Sequence, residues 1–262
     1  MYCTHSPYFV DIPNFDLIRK VNNVRCHETQ FLKCDIIHFT LEEAAKELAR
    51  ISHADARLFT RNTFVARPIS TMNTIVNEGY FADLVVLVEG TADVGVLVTV
   101  SEILNLEWNK KNIVIVPVVG KSNLDRPSVI FKGLKIPTYI IFDGDSRKKD
   151  KDGGTQAIKL NHQLLRLVGG PEDNFPKTQI NEEWAVFEND IENELIDDLG
   201  SKEIFYKYRD AIANNFEFSP SKLMKNAYGA KEVVNEIYRQ GNQLPTMEKL
   251  VQAIDELYKS HY

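Results

Sequence analysis

Three observations predict an α/β fold built on a parallel sheet. Four short apolar runs, at 84–88, 113–119, 138–142 and 184–187, are rich in Val and Ile, the composition of buried parallel strands. Helix-length segments separate them, and such alternation calls for right-handed crossovers. Acidic residues follow three of the four runs directly. They would stand at the carboxyl edge of the sheet, where open α/β folds bind their ligands.

The bulk composition sets bounds on this reading. The chain has 262 residues, enough for one large or two modest domains with a core. It is 44% hydrophobic and 26% charged, ordinary for a globular protein. A net charge of −6 does not advertise nucleic-acid binding, but a local basic patch is compatible with it. Three cysteines give no disulfide framework and suit a reducing, cytoplasmic setting. No apolar run reaches the roughly 18 residues of a membrane span, and the N-terminus lacks a signal-peptide pattern. The abrupt start at Met1–Pro7 suggests a fragment of a longer protein.

The elements follow in order. Residues 15–29 predict a hairpin turning at Asn22-Asn23. Thr40 with Glu43 is a capping box opening a helix to about Ile51. Residues 54–79 are helical in pattern, with a break at Pro68. The strand at 84–88 leads into a helix over about 92–106. Helices are expected near 125–134, from about 155 to 168, and over about 201–214, 228–240 and 246–260. The domain expectation is a leading segment at 1–39, helices at 40–81, a catalytic core at 82–199 and a C-terminal helical segment at 200–262.

The motifs carry the chemistry. Glu89-Gly90-Thr91-Ala92-Asp93 places two carboxylates on one side of a turn entering a helix, though acids there also serve as plain N-terminal caps. Asp143-Gly144-Asp145 offers two carboxylates across a tight turn, a pattern also used as an ordinary strand exit. Together these four suit one or two Mg²⁺ or Mn²⁺ ions. Gly120-Lys121-Ser122-Asn123 would meet a phosphate or DNA, or is a simple strand-to-helix turn. Glu188, Asp190, Glu192 and Glu194 follow the last strand; one of them would complete a metal shell while the rest stay solvated. Lys222, Lys225 and Lys231 offer a lysine for transition-state charge. The spacing of Cys26, His27, Cys34 and His38 matches no common zinc motif.

Val88–Asp93 with Ile141–Asp145 resembles the topoisomerase–primase (TOPRIM) domain. The flanks 84–90, 116–124 and 136–139, with the acids of 189–195, resemble the C-terminal region of OLD-family (overcoming lysogenization defect) ATP-dependent endonucleases. Thr4–Phe9 resembles the end of an ABC-type ATPase domain, with His5 as the residue sensing the γ-phosphate.

The resemblance implies a TOPRIM-type sheet with an adjoining helical subdomain, and DNA cleavage by a two-metal mechanism. Its site would hold Glu89, Asp93, Asp143, Asp145 and Glu192 at the ions, with Lys225 as the charge-neutralising lysine. It further implies ATP at a preceding domain, a homo-oligomer, a possible helicase-like partner, and a role in phage defence or DNA processing. Asp93 stands where many members carry glutamate, one methylene longer. Two other readings remain open: a primase-like nucleotidyl transferase, and a non-catalytic Mg²⁺-binding assembly module.

Overall fold

The structure, a computed structural model, describes residues 2–10, 12–25, 32–66, 74–151 and 153–262. Its strands are β1 (Lys20–Arg25), β2 (Leu32–Ile37), β3 (Leu84–Val88), β4 (Ile113–Pro117), β5 (Thr138–Asp143), β6 (Gln179–Ile180) and β7 (Trp184–Phe187). Its first helices are α1 (Leu41–Ser52), α2 (Arg61–Ala66), α3 (Thr74–Glu78), α4 (Thr91–Ile103), α5 (Asp125–Gly133) and α6 (Gly154–Val168). After β7 come α7 (Ile191–Leu199), α8 (Lys202–Asn215), α9 (Pro220–Leu223), α10 (Ala227–Arg239) and α11 (Pro245–Lys259).

The fold class read from the sequence is the one observed. Five strands form one sheet in the order β4-β3-β5-β7-β6, parallel except for the short antiparallel β6. The chain runs from β3 outward to β4, then returns to place β5 on the other side of β3. The boundary between β3 and β5 is therefore a topological switch point, and open sheets of this kind have their crevice outside the strand ends at such a point.

Both faces of the sheet are covered. Leu84, Val86, Val88, Tyr139, Ile141, Ala185 and Phe187 face a core shared with α4, α8, α10 and α11. Val85, Leu87, Val116, Ile140, Phe142 and Val186 face a second core shared with α1, α5 and α6. Successive side chains point to opposite faces, and with both faces buried the strands read as unbroken apolar runs. Residues 202–259 thus supply one layer of the sandwich. Helix α4 lies between the sheet and α10, which explains its apolar composition on all sides.

Some details differ from expectation. The hairpin exists, but Asn22 and Asn23 sit inside β1, paired with Asp35 and Cys34. Its connection lies between Arg25 and Leu32, so the Asn-Asn pair is no turn. Pro68, Cys26 and His27 fall outside the described residues. Cys34 and His38 are exposed, and among the described residues no three His, Cys, Asp or Glu side chains gather as a ready metal site. Thr40 does cap α1, its side chain accepting from the Glu43 backbone N–H. The two-residue β6 has no counterpart among the expected strands. The acidic stretch after β7 itself forms the start of a helix, α7. Among the described residues, no helix is long and apolar enough to cross a membrane.

The packing of α10 against α4 requires a glycine. A Cβ at Gly95 would lie 2.1 Å from the Ala227 carbonyl oxygen and 3.0 Å from Ala230 Cβ. Gly95→Ala is expected to lower stability by about 1–3 kcal/mol through overpacking, a drop in Tm of about 2–10 °C. An unchanged thermal melt would contradict so close an approach.

Candidate active site

The switch point gathers the acids. β3 ends at Val88, and the side chain of the next residue, Glu89, crosses to β5, where Oε1 accepts the Asp143 backbone N–H at 2.8 Å. The backbone pairing continues past the strand end on the other side, since Gly120 N–H donates to the Glu89 carbonyl at 2.8 Å. Asp93 turns back to cap α4, accepting the Gly90 N–H at 2.8 Å. The capping reading of Asp93 is thus realised while it lies, buried, behind the cluster.

The Asp143-Gly144-Asp145 turn is held from three sides. Gly144 N–H donates to the Phe187 carbonyl at 2.6 Å. A Cβ on Gly144 would lie 2.7 Å from the Pro176 carbonyl and 2.9 Å from those of Phe187 and Glu188, so only glycine fits. Asp145 adopts the left-handed conformation (φ 60°). That turn sends its carboxylate to Lys121 Nζ at 3.2 Å and Lys148 Nζ at 2.8 Å.

Lys121 takes a different place from the one expected of it. The residue is only 7% exposed. Its ammonium donates to the Asp143 carbonyl, to Asp145 and to Asn161 Oδ1, which uses all three donors. It cannot also meet a phosphate, and the Gly120 N–H is likewise committed. The strand-to-helix turn is a clamp on the acidic turn rather than a phosphate loop. Asn161 on α6 completes the clamp. Fully buried, it donates to the Gly144 carbonyl at 2.8 Å and the Asn174 carbonyl at 2.7 Å. Sequence reasoning missed it. Its signal was a polar residue at helical spacing among Ala157, Leu164 and Leu165 on the buried face of α6.

The late acids separate clearly. Asp190 caps α7, accepting the Asn193 N–H at 2.9 Å. Its charge helps push up the carboxyl groups of Asp93 and Asp143. Glu192, expected at the metal, instead faces Arg209 at 3.8 Å. Because α7 starts at Ile191, the first-turn residue points toward α8 while its cap stays at the strand end. Glu188 pairs with Lys177 at 2.5 Å, and buried Glu194 accepts from Thr178 Oγ1 at 2.5 Å.

The lysines separate too. Lys231 pairs with Glu102 at 2.8 Å, near the far end of α4. Lys222 and Lys225 are exposed, and the Lys225 carbonyl accepts from Thr91 Oγ1 at 2.9 Å in the first turn of α4. That bond ties Lys225 to the lip of the acidic crevice. His5 is exposed in an irregular segment, and the Pro7–Phe9 turn after it packs on α3.

Burial dominates the electrostatics. It pushes Glu89 up to about 7, against the pull of the Asp143 N–H and Lys121. It pushes Asp93 up to about 6. Asp143 lies well above the usual carboxylate range through burial and the charges of Glu89, Asp93 and Asp190. The donors are all carboxylate oxygens, which suits a hard divalent cation such as Mg²⁺ or Mn²⁺. As they stand they do not converge on one point, because Asp145 is drawn to Lys121 and Lys148.

Comparison with known proteins addresses the same residues. Residues 80–145 match the family model of the overcoming lysogenization defect protein-like TOPRIM domain. The chain carries an OLD-like TOPRIM domain. An OLD nuclease of Thermus scotoductus is 26% identical over 185 residues, covering 67% of this chain and 32% of that protein. The chain therefore spans about a third of the length of that curated relative. The C-terminal region of the Xanthomonas campestris pv. campestris OLD protein superposes with a TM-score of 0.47 at 16% identity, covering 70% of this chain and 97% of that one. For the C-terminal region of the Burkholderia pseudomallei OLD protein the TM-score is 0.37 at 18% identity, covering 67% and 88%. The OLD-like domain matched by the family model contains Glu89, Asp93, Gly120, Lys121, Asp143 and Asp145, and ends before Asp190 and Lys225.

Two outcomes follow for the metal-free protein. A carboxyl raised from about 4.5 to about 7, as Glu89 is, leaves the native state more protonated than the unfolded chain. Its contribution is full below about 4.5 and is lost as pH rises through about 7. In EDTA, Glu89→Gln should therefore raise stability at pH 8 by about 1–3 kcal/mol and change little at pH 5; equal melting shifts at both pH values would refute the assignment. Lys121→Met should cost about 2–4 kcal/mol, since Asn161 Oδ1 and the Asp143 carbonyl lose a buried donor. Denaturant titration reads that loss.

Proposed function

We propose that this chain is the catalytic region of a divalent-metal-dependent DNA endonuclease of the OLD type. One observation carries the reading. Within the OLD-like TOPRIM segment, Glu89 and Asp143 meet by a direct hydrogen bond across the switch point, with Asp93, Asp145 and Asp190 around them. Raised pKa values in a cleft mark functional carboxylates more often than structural ones.

The ions, one or two, would be held by Glu89, Asp143 and Asp145, with Asp93 and Asp190 in reserve. When bound, the metal supplies Lewis acidity and an acidified water for phosphodiester hydrolysis. Asp190 takes the place that sequence reasoning gave to Glu192. Glu89, near neutrality when the site is metal-free, is the candidate general base. Lys225, on the lip and exposed, is the candidate for neutralising charge on the scissile phosphate. Lys121 and Asn161 fix the acidic turn. ATP dependence and a role in phage defence or DNA processing belong to the same proposal for the longer protein.

The decisive measurement is nicking of supercoiled plasmid in Mg²⁺ or Mn²⁺. The wild-type chain should nick. Asp143→Ala should lose at least about 100-fold in rate and, in calorimetry without DNA, should bind Mn²⁺ more weakly. Absence of nicking by the wild type with either ion, or full activity in Asp143→Ala, would refute the proposal.

A further inference from the structure

Two exposed aromatic rings, Phe216 and Tyr228, meet on the lip that carries Lys225, and a third exposed ring, Phe218, follows Phe216 by two residues. Phe216 is 39% exposed, Phe218 45% and Tyr228 57%. The Phe216 and Tyr228 rings meet edge to face at 5.4 Å between centroids. Phe218 is two residues from Phe216, across a turn in which Glu217 adopts a left-handed φ of 54°. Phe218 N–H donates to the Ala213 carbonyl at 2.9 Å, which fixes the turn against the end of α8. On the other side, Asn226 caps α10 and holds Tyr228 in its first turn. The rings are therefore positioned by ordered backbone and left in solvent. Burying each would gain roughly 1.5–3 kcal/mol, so their shared exposure has no origin in stability.

Their surroundings narrow what they meet. Residues 216–228 hold two lysines, Lys222 and Lys225, and one acid, Glu217, in a chain whose net charge is −6. Both lysines are exposed. The Thr91–Lys225 hydrogen bond joins this segment to the start of α4, two residues from Glu89. Aromatic faces interleaved with lysines, beside a carboxylate crevice, fit a strand whose phosphates meet the lysines and whose bases lie on the rings. A paired base is stacked within its duplex and offers no free face, so the occupant is unpaired.

We propose that Phe216, Phe218 and Tyr228 form a stacking platform for unpaired bases of DNA, feeding a single-stranded segment to the Glu89–Asp143 crevice. The proposal rests on the nuclease reading for its biological meaning, but its test does not require cleavage.

Binding of fluorescently labelled oligonucleotides is measured in EDTA, so that no strand is cut. The probes are a single strand, a duplex of the same length, and an abasic strand with the same number of phosphates. The wild-type chain should bind the single strand more tightly than the abasic strand, by about 5- to 100-fold per stacked base. The double variant Phe216→Ala, Tyr228→Ala should lose that difference and bind both as weakly as wild type binds the abasic strand. Phe216→Tyr with Tyr228→Phe, which keeps both rings, should restore it. Equal binding of single and abasic strands by the wild type would overturn the platform even if plasmid nicking succeeds. So would an alanine variant that keeps the base preference. Base-dependent binding without nicking would uphold the platform and sink the nuclease reading alone. Sedimentation velocity supplies the remaining arm: if the alanine variant changes the oligomeric state and leaves strand binding intact, the rings contact a second copy of the chain, and the proposal fails.

Discussion

Carboxylates held half out of water at one point of a sheet are the constraint on which the rest of the structure turns. Glu89 leaves β3 and Asp143 ends β5, and the two meet because the chain reverses its strand order between them. Burial drives both acids toward protonation, and Asp93 and Asp190 add like charge. Such a cluster persists only if the surrounding backbone is over-determined. Lys121 and Asn161 do that from one side, and the Phe187 carbonyl does it from the other.

The same constraint explains the glycines and the layers. Gly144 lets three carbonyls close on the acidic turn, and Gly95 lets α10 press on α4. Because α4 is pinned between the sheet and α10, its first turn cannot drift, and Glu89-Gly90 stays against β5. The segment from Lys222 to Tyr228 inherits this rigidity through Thr91 and the start of α10. Residues remote in sequence are thereby brought to the rim of the crevice.

Cations answer the acids at the periphery. Lys121 and Lys148 hold Asp145, Arg147 approaches Asp190 at 3.8 Å, and Arg209 faces Glu192. Glu89, Asp93 and Asp143 at the centre are met by backbone N–H groups or by one another rather than by a paired cation. That division separates acids that settle local charge from acids left to bind something else. It also shows why an acidic chain can offer a basic lip, since opposite charges are segregated over a few residues.

The amino-acid sequence by itself determined the fold class, the bounds of β3 and β7 and the positions of the two acidic motifs. Period-two burial on both faces writes unbroken apolar runs, and turn acids follow them, so Glu89 and Asp143–Asp145 were legible without coordinates. The OLD-like character was legible for the same reason, since those motifs lie in the matched segment. Tertiary structure decided everything that depends on side-chain direction. Asp190 and Glu192 are two residues apart, and only the start of α7 shows which one stays at the strand end. Lys121 reads as a phosphate ligand until its burial and three acceptors are seen. Lys225 and Lys231 lie six residues apart, yet the Lys225 carbonyl meets Thr91 at the start of α4 while the Lys231 ammonium pairs with Glu102 near its far end. Spacing along a chain fixes where a residue sits on its own element; which neighbour it meets is set by how the elements pack.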